Sequence, residues 1–217
     1  MLDCVSFQLG IEPDVEAIRC VYDLDPALSD SDLAEYAYQR QRALEGGDLL
    51  PPHLMRVSHV STLRLSGGRV AINTAARKTH GERALLASFL GELRQTPTLL
   101  CCWGDAAQQL SVLRCRAMFY RLDLTAIERC EDLSRSVFGK MSLVHLARML
   151  GFSHPGSGSF KADAKGAEHE DRMSWLVSEA GAALALVALL RQQCMTGELT
   201  AQACESIEDA LRVAMQC

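Results

Sequence analysis

The sequence predicts an α/β protein in which a mixed sheet is flanked by helices. Three observations carry that prediction. Apolar and polar residues alternate over 4–9 and again over 54–73, which is the period of a strand. Between and after these runs, apolar residues recur at helical spacing, as in Leu85, Leu86, Phe89, Leu90 and Leu93. Strands interleaved with helices then pack best as helices laid on a sheet.

In order, Cys4-Val5-Ser6-Phe7-Gln8-Leu9 reads as the first strand. Ser29-Asp30-Ser31-Asp32 is a cluster of N-cap residues that opens a helix from about 33 to 44, closed by Gly46-Gly47. Pro51-Pro52 breaks the chain. Val57, Val60, Leu63 and Leu65 precede Ser66-Gly67-Gly68, and Val70 and Ile72 follow, which is a hairpin signal. A helix is expected over 81–93, a short buried strand over 98–103 and a helix over 106–119. Residues 141–150 read as a helix ended by Gly151, and 153–168, rich in Gly, Ser, Lys and Ala, as a loop. Glu170 to Met195 reads as a long, nearly all-apolar helix buried at the centre, ended by Gly197, and Thr200 caps a last helix to about 215. No internal repeat is visible. A single domain, 1–217, with a helical C-terminal half over 141–217, fits this length.

Composition narrows the function classes. Of the 217 residues 48% are hydrophobic and the net charge is −5, so the chain has the apolar content of a folded protein. The most apolar run, 180–190, is about half of what a bilayer requires. The N-terminus lacks a basic stretch followed by a long apolar one, so neither a membrane span nor a signal peptide is expected. Nine cysteines without a C-x-x-C pair argue against a structural zinc site. They suggest mostly buried thiols in a reducing, cytoplasmic compartment. The acidic balance gives no global attraction for nucleic acid. Arg64, Arg69, Arg77 and Lys78, and Arg114, Arg116 and Arg121, read as solvated faces.

A set of ordered segments carries a family resemblance. Phe7-Gln8-Leu9-Gly10-Ile11-Glu12-Pro13-Asp14 stands where F-D-I-E-T-x-P-D would, and Pro52-His53-Leu54-Met55-Arg56-Val57 is similar to P-x-H-L-x-R-V. Glu82-Arg83-Ala84-Leu85-Leu86 begins the next helix. The run from Trp103-Gly104-Asp105 through Gln109 to Leu113 stands for W-N-G-x-x-F-D-x-P-x-L. Ala147 to Phe152 is similar to A-x-L-L-G-F, Val177-Ser178-Glu179-Ala180-Gly181 stands for Y-C-E-T-D, and Gly197-Glu198-Leu199-Thr200 for the closing turn. Over residues 5–215 the chain resembles the predicted 3′–5′ exonucleases similar to the proofreading domain of family-B DNA polymerases, which have a ribonuclease H-like fold. It departs in length between Tyr120 and Cys130, where the family carries a longer insertion before its H-x-D-L segment; Asp132-Leu133 corresponds to that D-L.

The resemblance implies a two-metal nuclease, using Mg or Mn held by carboxylates. The family's D-x-E positions are here Gln8 and Gly10, its next Asp is Gln109, and its Tyr and last Asp are Val177 and Gly181. Four carboxylates and the tyrosine are missing, so no metal, cofactor or catalytic residue is expected. Asp14, Asp105 and Glu179 lie within a few residues of the lost positions and read as surface acids near a helix N-terminus rather than a rebuilt site. His53, Trp103, Asp105 and Glu179 are the candidate cleft-lining residues. With Gly10 facing Gly181, the cleft is expected to be filled by neighbouring apolar groups.

Other constellations read as structural. Cys101-Cys102-Trp103 ends a strand without a sequence-evident activating His, His145 lies on a helix face, and His169-Glu170-Asp171 forms the acidic first turn of the long helix. The expected function is that of an inactive exonuclease-like protein that acts by binding, as a regulatory or protein-interaction scaffold. Its partner would be an unidentified protein or a second copy of the chain. The alternatives are a non-cleaving binder of single-stranded nucleic acid and a residual metal-dependent exonuclease.

Overall fold

The computed structural model describes residues 3–47, 49–67, 69–95, 99–102, 106–127, 130–132, 145, 148–149, 167–197 and 199–216. Five strands form one mixed sheet: β1 (Cys4–Pro13), β2 (Met55–Ser66), β3 (Arg69–Ala76), β4 (Leu99–Cys102) and β5 (Cys130–Asp132), in the order β3-β2-β1-β4-β5. Strands β1, β2 and β3 are antiparallel neighbours, while β4 runs parallel to β1 and β5 parallel to β4. The hairpin expected at Ser66-Gly67-Gly68 joins β2 to β3, and Gly67 takes the positive φ of 57° that so tight a turn demands.

The helices with described bounds are α1 (Val15–Tyr22), α2 (Asp30–Glu45), the single turn α3 (Arg77–His80), α4 (Glu82–Gln95), α5 (Ala106–Tyr120), α6 (Ala167–Met195) and α7 (Ala201–Gln216). Ser29 caps α2 by accepting from the Asp32 N–H, Gly46 ends it at φ 69°, and Thr200 caps α7 by accepting from the Ala203 N–H. Three elements depart from the sequence reading. Helix α1 and the single turn α3 were not anticipated, nor was β5, whose three residues are too few to show alternation. The long helix begins three residues before Glu170, so 167–168 belong to α6 and not to the expected loop. The rest of that loop and most of the helix expected over 141–150 lie outside the described residues.

Alternation along β1 divides the core between the two faces of the sheet. Val5, Phe7 and Leu9 point to one face, packing with Ile18 of α1, Leu33 and Ala37 of α2, Leu86, Phe89 and Leu90 of α4, and Leu113 and Ala117 of α5. Cys4 shares the other face with Leu63, Leu65 and Cys101, beneath Ala182 to Leu190 of α6 and Cys204 and Leu211 of α7. Every residue of α6 from Ala182 to Leu190 is buried, which agrees with the expected central helix. Small residues at 182, 183, 185 and 188 let it sit close to the strands. Among the described residues no helix is long and apolar enough to cross a membrane.

Helix α7 is tied to α6 by a two-pronged ion pair, with Arg191 Nε 2.7 Å and Nη2 2.8 Å from the two oxygens of Glu208. The guanidinium holds the Glu208 carboxyl below its ordinary pKa, against the opposing effect of burial. Protons therefore bind the unfolded chain at higher pH than the native one, so this contribution is present above the ordinary glutamate range and fades as pH falls through the native value. Glu208→Gln should cost about 1 kcal/mol at neutral pH, since Arg191 is partly solvated. Urea unfolding at pH 7 and pH 3 checks this, and a cost that is equal at both would contradict it.

The thiols are less uniformly buried than expected. Of the eight described cysteines, none of them in a disulfide, Cys4, Cys101, Cys102 and Cys204 are buried, Cys115, Cys130 and Cys194 are partly so, and Cys20 is exposed. Burial pushes the Cys4 thiol up to about 12, with help from Asp3.

Candidate functional site

Four of the five positions singled out by the family resemblance lie on the α6 side of the sheet or on α6 itself. Gln8 and Gly10 point to that face from β1, opposite Ser61 and His59 of β2, and Val177 and Gly181 lie on α6. The register slips between Gly10 and Ile11, so that Ser58 is an extra residue on β2, a β-bulge. Just before the bulge, His59 crosses over its strand partner.

A Cβ placed on Gly10 would stand 2.0 Å from His59 Cε1 and 2.1 Å from Nδ1. The imidazole thus occupies the space that any side chain at position 10 requires. It is 2% exposed and held from both ends, with Nε2 2.8 Å from Ser178 Oγ on α6 and Nδ1 3.0 Å from Ser58 Oγ. This corrects the expectation of an apolar filling: the group over Gly10 is a polar ring that bolts the helix to the sheet. The sequence reading passed over His59 because nothing in its neighbours reveals the bulge that aims it.

A second polar chain runs beside it. Ser61 and Thr74 hydroxyls lie 3.0 Å apart, and Thr74 in turn donates to Glu179. Glu179 is therefore half-buried and engaged with β3. Gln8 stands opposite Ser61, with its Oε1 buried and without a hydrogen-bond partner among the described residues. Farther along β1, Glu12 accepts from Arg56 Nε at 2.7 Å and Arg77 Nη2 at 2.9 Å, so Arg77 is paired and not part of a free basic face.

Gln109 serves the opposite side of the strand. Among the described residues β4 pairs with β1 as far as Phe7. The Gln109 side chain, from the first turns of α5, accepts from the Leu9 N–H at 3.0 Å. An amide oxygen thus satisfies a buried backbone N–H of β1. The chemistry of this set does not fit a hard divalent cation: Gln8, Gly10, Gln109, Val177 and Gly181 supply no carboxylate. Among the described residues no group of three or more His, Cys, Asp or Glu is arranged to hold a metal ion.

The other candidates fall elsewhere. His53 is exposed in the 3₁₀ turn Pro52–Leu54, and Val177 is partly exposed. Trp103 and Asp105 lie outside the described residues, as do the side chains of His169, Glu170 and Asp171. His145 is exposed.

Arg116 overturns its sequence reading, and Asp14 keeps the helix-start position read for it but not a place on the surface. Asp14 caps α1 by accepting from the Ala17 N–H, as an acid at a helix start should, but it is buried. Arg116 Nη1 reaches its Oδ2 at 2.6 Å, while Nε and Nη2 grip Glu82. Glu82 also accepts from the Val57 N–H at 2.8 Å and the Tyr120 hydroxyl at 2.9 Å. Burial pulls the Arg116 pKa down, yet hydrogen bonding to Glu82 and the charges of Glu82 and Asp14 prevail and leave it raised. This network joins α1, β2, α4 and α5 around a cation that the sequence placed on a solvated face.

The chain matches no protein-family model, no curated protein and no solved structure.

Proposed function

We propose that this chain is a non-catalytic protein of ribonuclease H-like, exonuclease-like architecture that acts by binding, as a regulatory or protein-interaction scaffold. The observation that carries the proposal is the His59 ring seated over Gly10 and bonded to Ser178. At the strand position where the family resemblance calls for a metal-binding carboxylate, this chain has no side chain, and the vacated space serves to fasten α6. Gln109, at another such position, spends its oxygen on the Leu9 backbone. Both replacements favour scaffold over chemistry. The mixed sheet, in the order β3-β2-β1-β4-β5 and flanked by helices, supports the architectural half of the reading.

The second reading, a non-cleaving binder of single-stranded nucleic acid, draws on Arg56, Arg77, Lys78 and His80 near the end of β1. Glu12 offsets part of that charge. Fluorescence anisotropy with labelled single-stranded DNA and RNA separates the two. The scaffold reading predicts no saturable binding tighter than about 100 µM near physiological salt, the range of weak non-specific association. Saturable binding that weakens steeply as salt rises would overturn it in favour of the nucleic-acid reading.

A further inference from the structure

The edge of the sheet remote from the hairpin carries two cysteines in contact. Cys102 on β4 and Cys130 on β5 have their Sγ atoms 3.5 Å apart, and both thiols face the same side of the sheet. Cys102 is fully buried, whereas Cys130 is partly exposed. Neither belongs to the site on the α6 face.

We infer that Cys102 and Cys130 are a peroxide-oxidisable dithiol that closes reversibly into a disulfide between β4 and β5. The accessible Cys130 thiolate attacks one oxygen of a hydroperoxide. The O–O bond breaks, Cys130 becomes a sulfenic acid and the other oxygen leaves as an alcohol or water. The Cys102 sulfur then attacks the Cys130 sulfur, the S–S bond forms and the sulfenic oxygen departs as water, taking up the Cys102 proton. Two thiols lose two electrons in total and the peroxide gains them.

The register explains why the bond would be reversible. Cys130 is paired with Leu100 and Cys102 with Asp132, so the two cysteines meet on the diagonal. Strand spacing and rise place their Cα atoms roughly 8 Å apart, a little beyond the usual reach of a disulfide. Closure therefore draws β5 along β4. Among the described residues β5 is an edge strand of three residues paired with β4 alone, so a shift along β4 disturbs one described ladder. A disulfide under such tension is readily reduced by a small thiol.

The test treats the full native chain with limiting hydrogen peroxide, removes the peroxide, then unfolds the chain in urea containing N-ethylmaleimide so that every remaining thiol is labelled, and maps the labels by mass spectrometry. The expected result is a Cys102–Cys130 linked peptide, lighter by two hydrogens, with loss of both maleimide labels and their return after glutathione. Cys130→Ser should leave Cys102 as a thiol. Over-oxidation of Cys130 beside an unreacted Cys102 would overturn the inference, as would labelling of both after treatment that oxidises the exposed Cys20. A link that forms only in urea would also overturn it. The wild-type map decides the matter even if the variant folds poorly.

Discussion

Replacing Arg116 by Met is expected to cost about 3–5 kcal/mol of folding stability, the range for removing one partner from a buried ion pair. The variant would leave Asp14 and Glu82, both under a tenth exposed, as buried carboxylates facing each other without their shared cation. Methionine fills much of the volume, so the loss reports the charge and not a cavity. Lysine at the same position keeps the charge but cannot present a planar fork to two carboxylates at once, and should recover only part of the loss. Urea denaturation at neutral pH measures both variants. A cost below about 1 kcal/mol for Arg116→Met, the size of a surface pair, would mean that the network contributes little. Replacing Arg116, Glu82 and Asp14 together by apolar residues should be milder than the single change, because no charge is then stranded.

Gly10→Ala is the second large effect. A methyl group at position 10 overlaps the His59 ring, so either the strands part or the ring leaves its place and breaks its bond to Ser178. Overpacking of this kind costs about 1–3 kcal/mol, and the loss of a buried hydrogen bond adds to that. His59→Ala removes the ring instead, leaving a cavity and an unpaired Ser178. The informative quantity is the double variant. With the ring gone, the added methyl occupies vacated space, and Gly10→Ala should then be nearly neutral or stabilising. The coupling between the two sites should accordingly exceed about 1 kcal/mol, as expected for residues in contact. Additive costs would show that the ring does not fill the Gly10 space in solution.

How far the sequence speaks for itself can be seen residue by residue. The hairpin at 66–68, the cap at Ser29 and the buried run 182–190 were legible because each rests on local chemistry: a turn residue, a side-chain acceptor, an apolar stretch. Helix α1 was also legible in principle, since Asp14 follows Pro13 as a cap and Val15 and Ile18 share a helical face. Arg116 was misread as solvated by its neighbours Arg114 and Arg121. Its helical position, one turn from Leu113 and Tyr120 on the buried face, carried the better signal. His59 and Gln109 were not readable at all. One depends on a bulge that re-aims a strand, and the other on a contact between residues a hundred positions apart. Strand β5 exists only through its partner. Local chemistry thus foretold most elements, while the site was made by register.

The central claim is that this architecture carries no exonuclease chemistry. The most direct measurement incubates the purified chain with manganese and 5′-labelled single-stranded DNA and RNA, read on a denaturing gel. Intact substrate at high protein concentration is the predicted result. Stepwise shortening from the 3′ end, abolished by Glu179→Gln or Asp105→Asn, would contradict it and assign those acids to a rebuilt metal site.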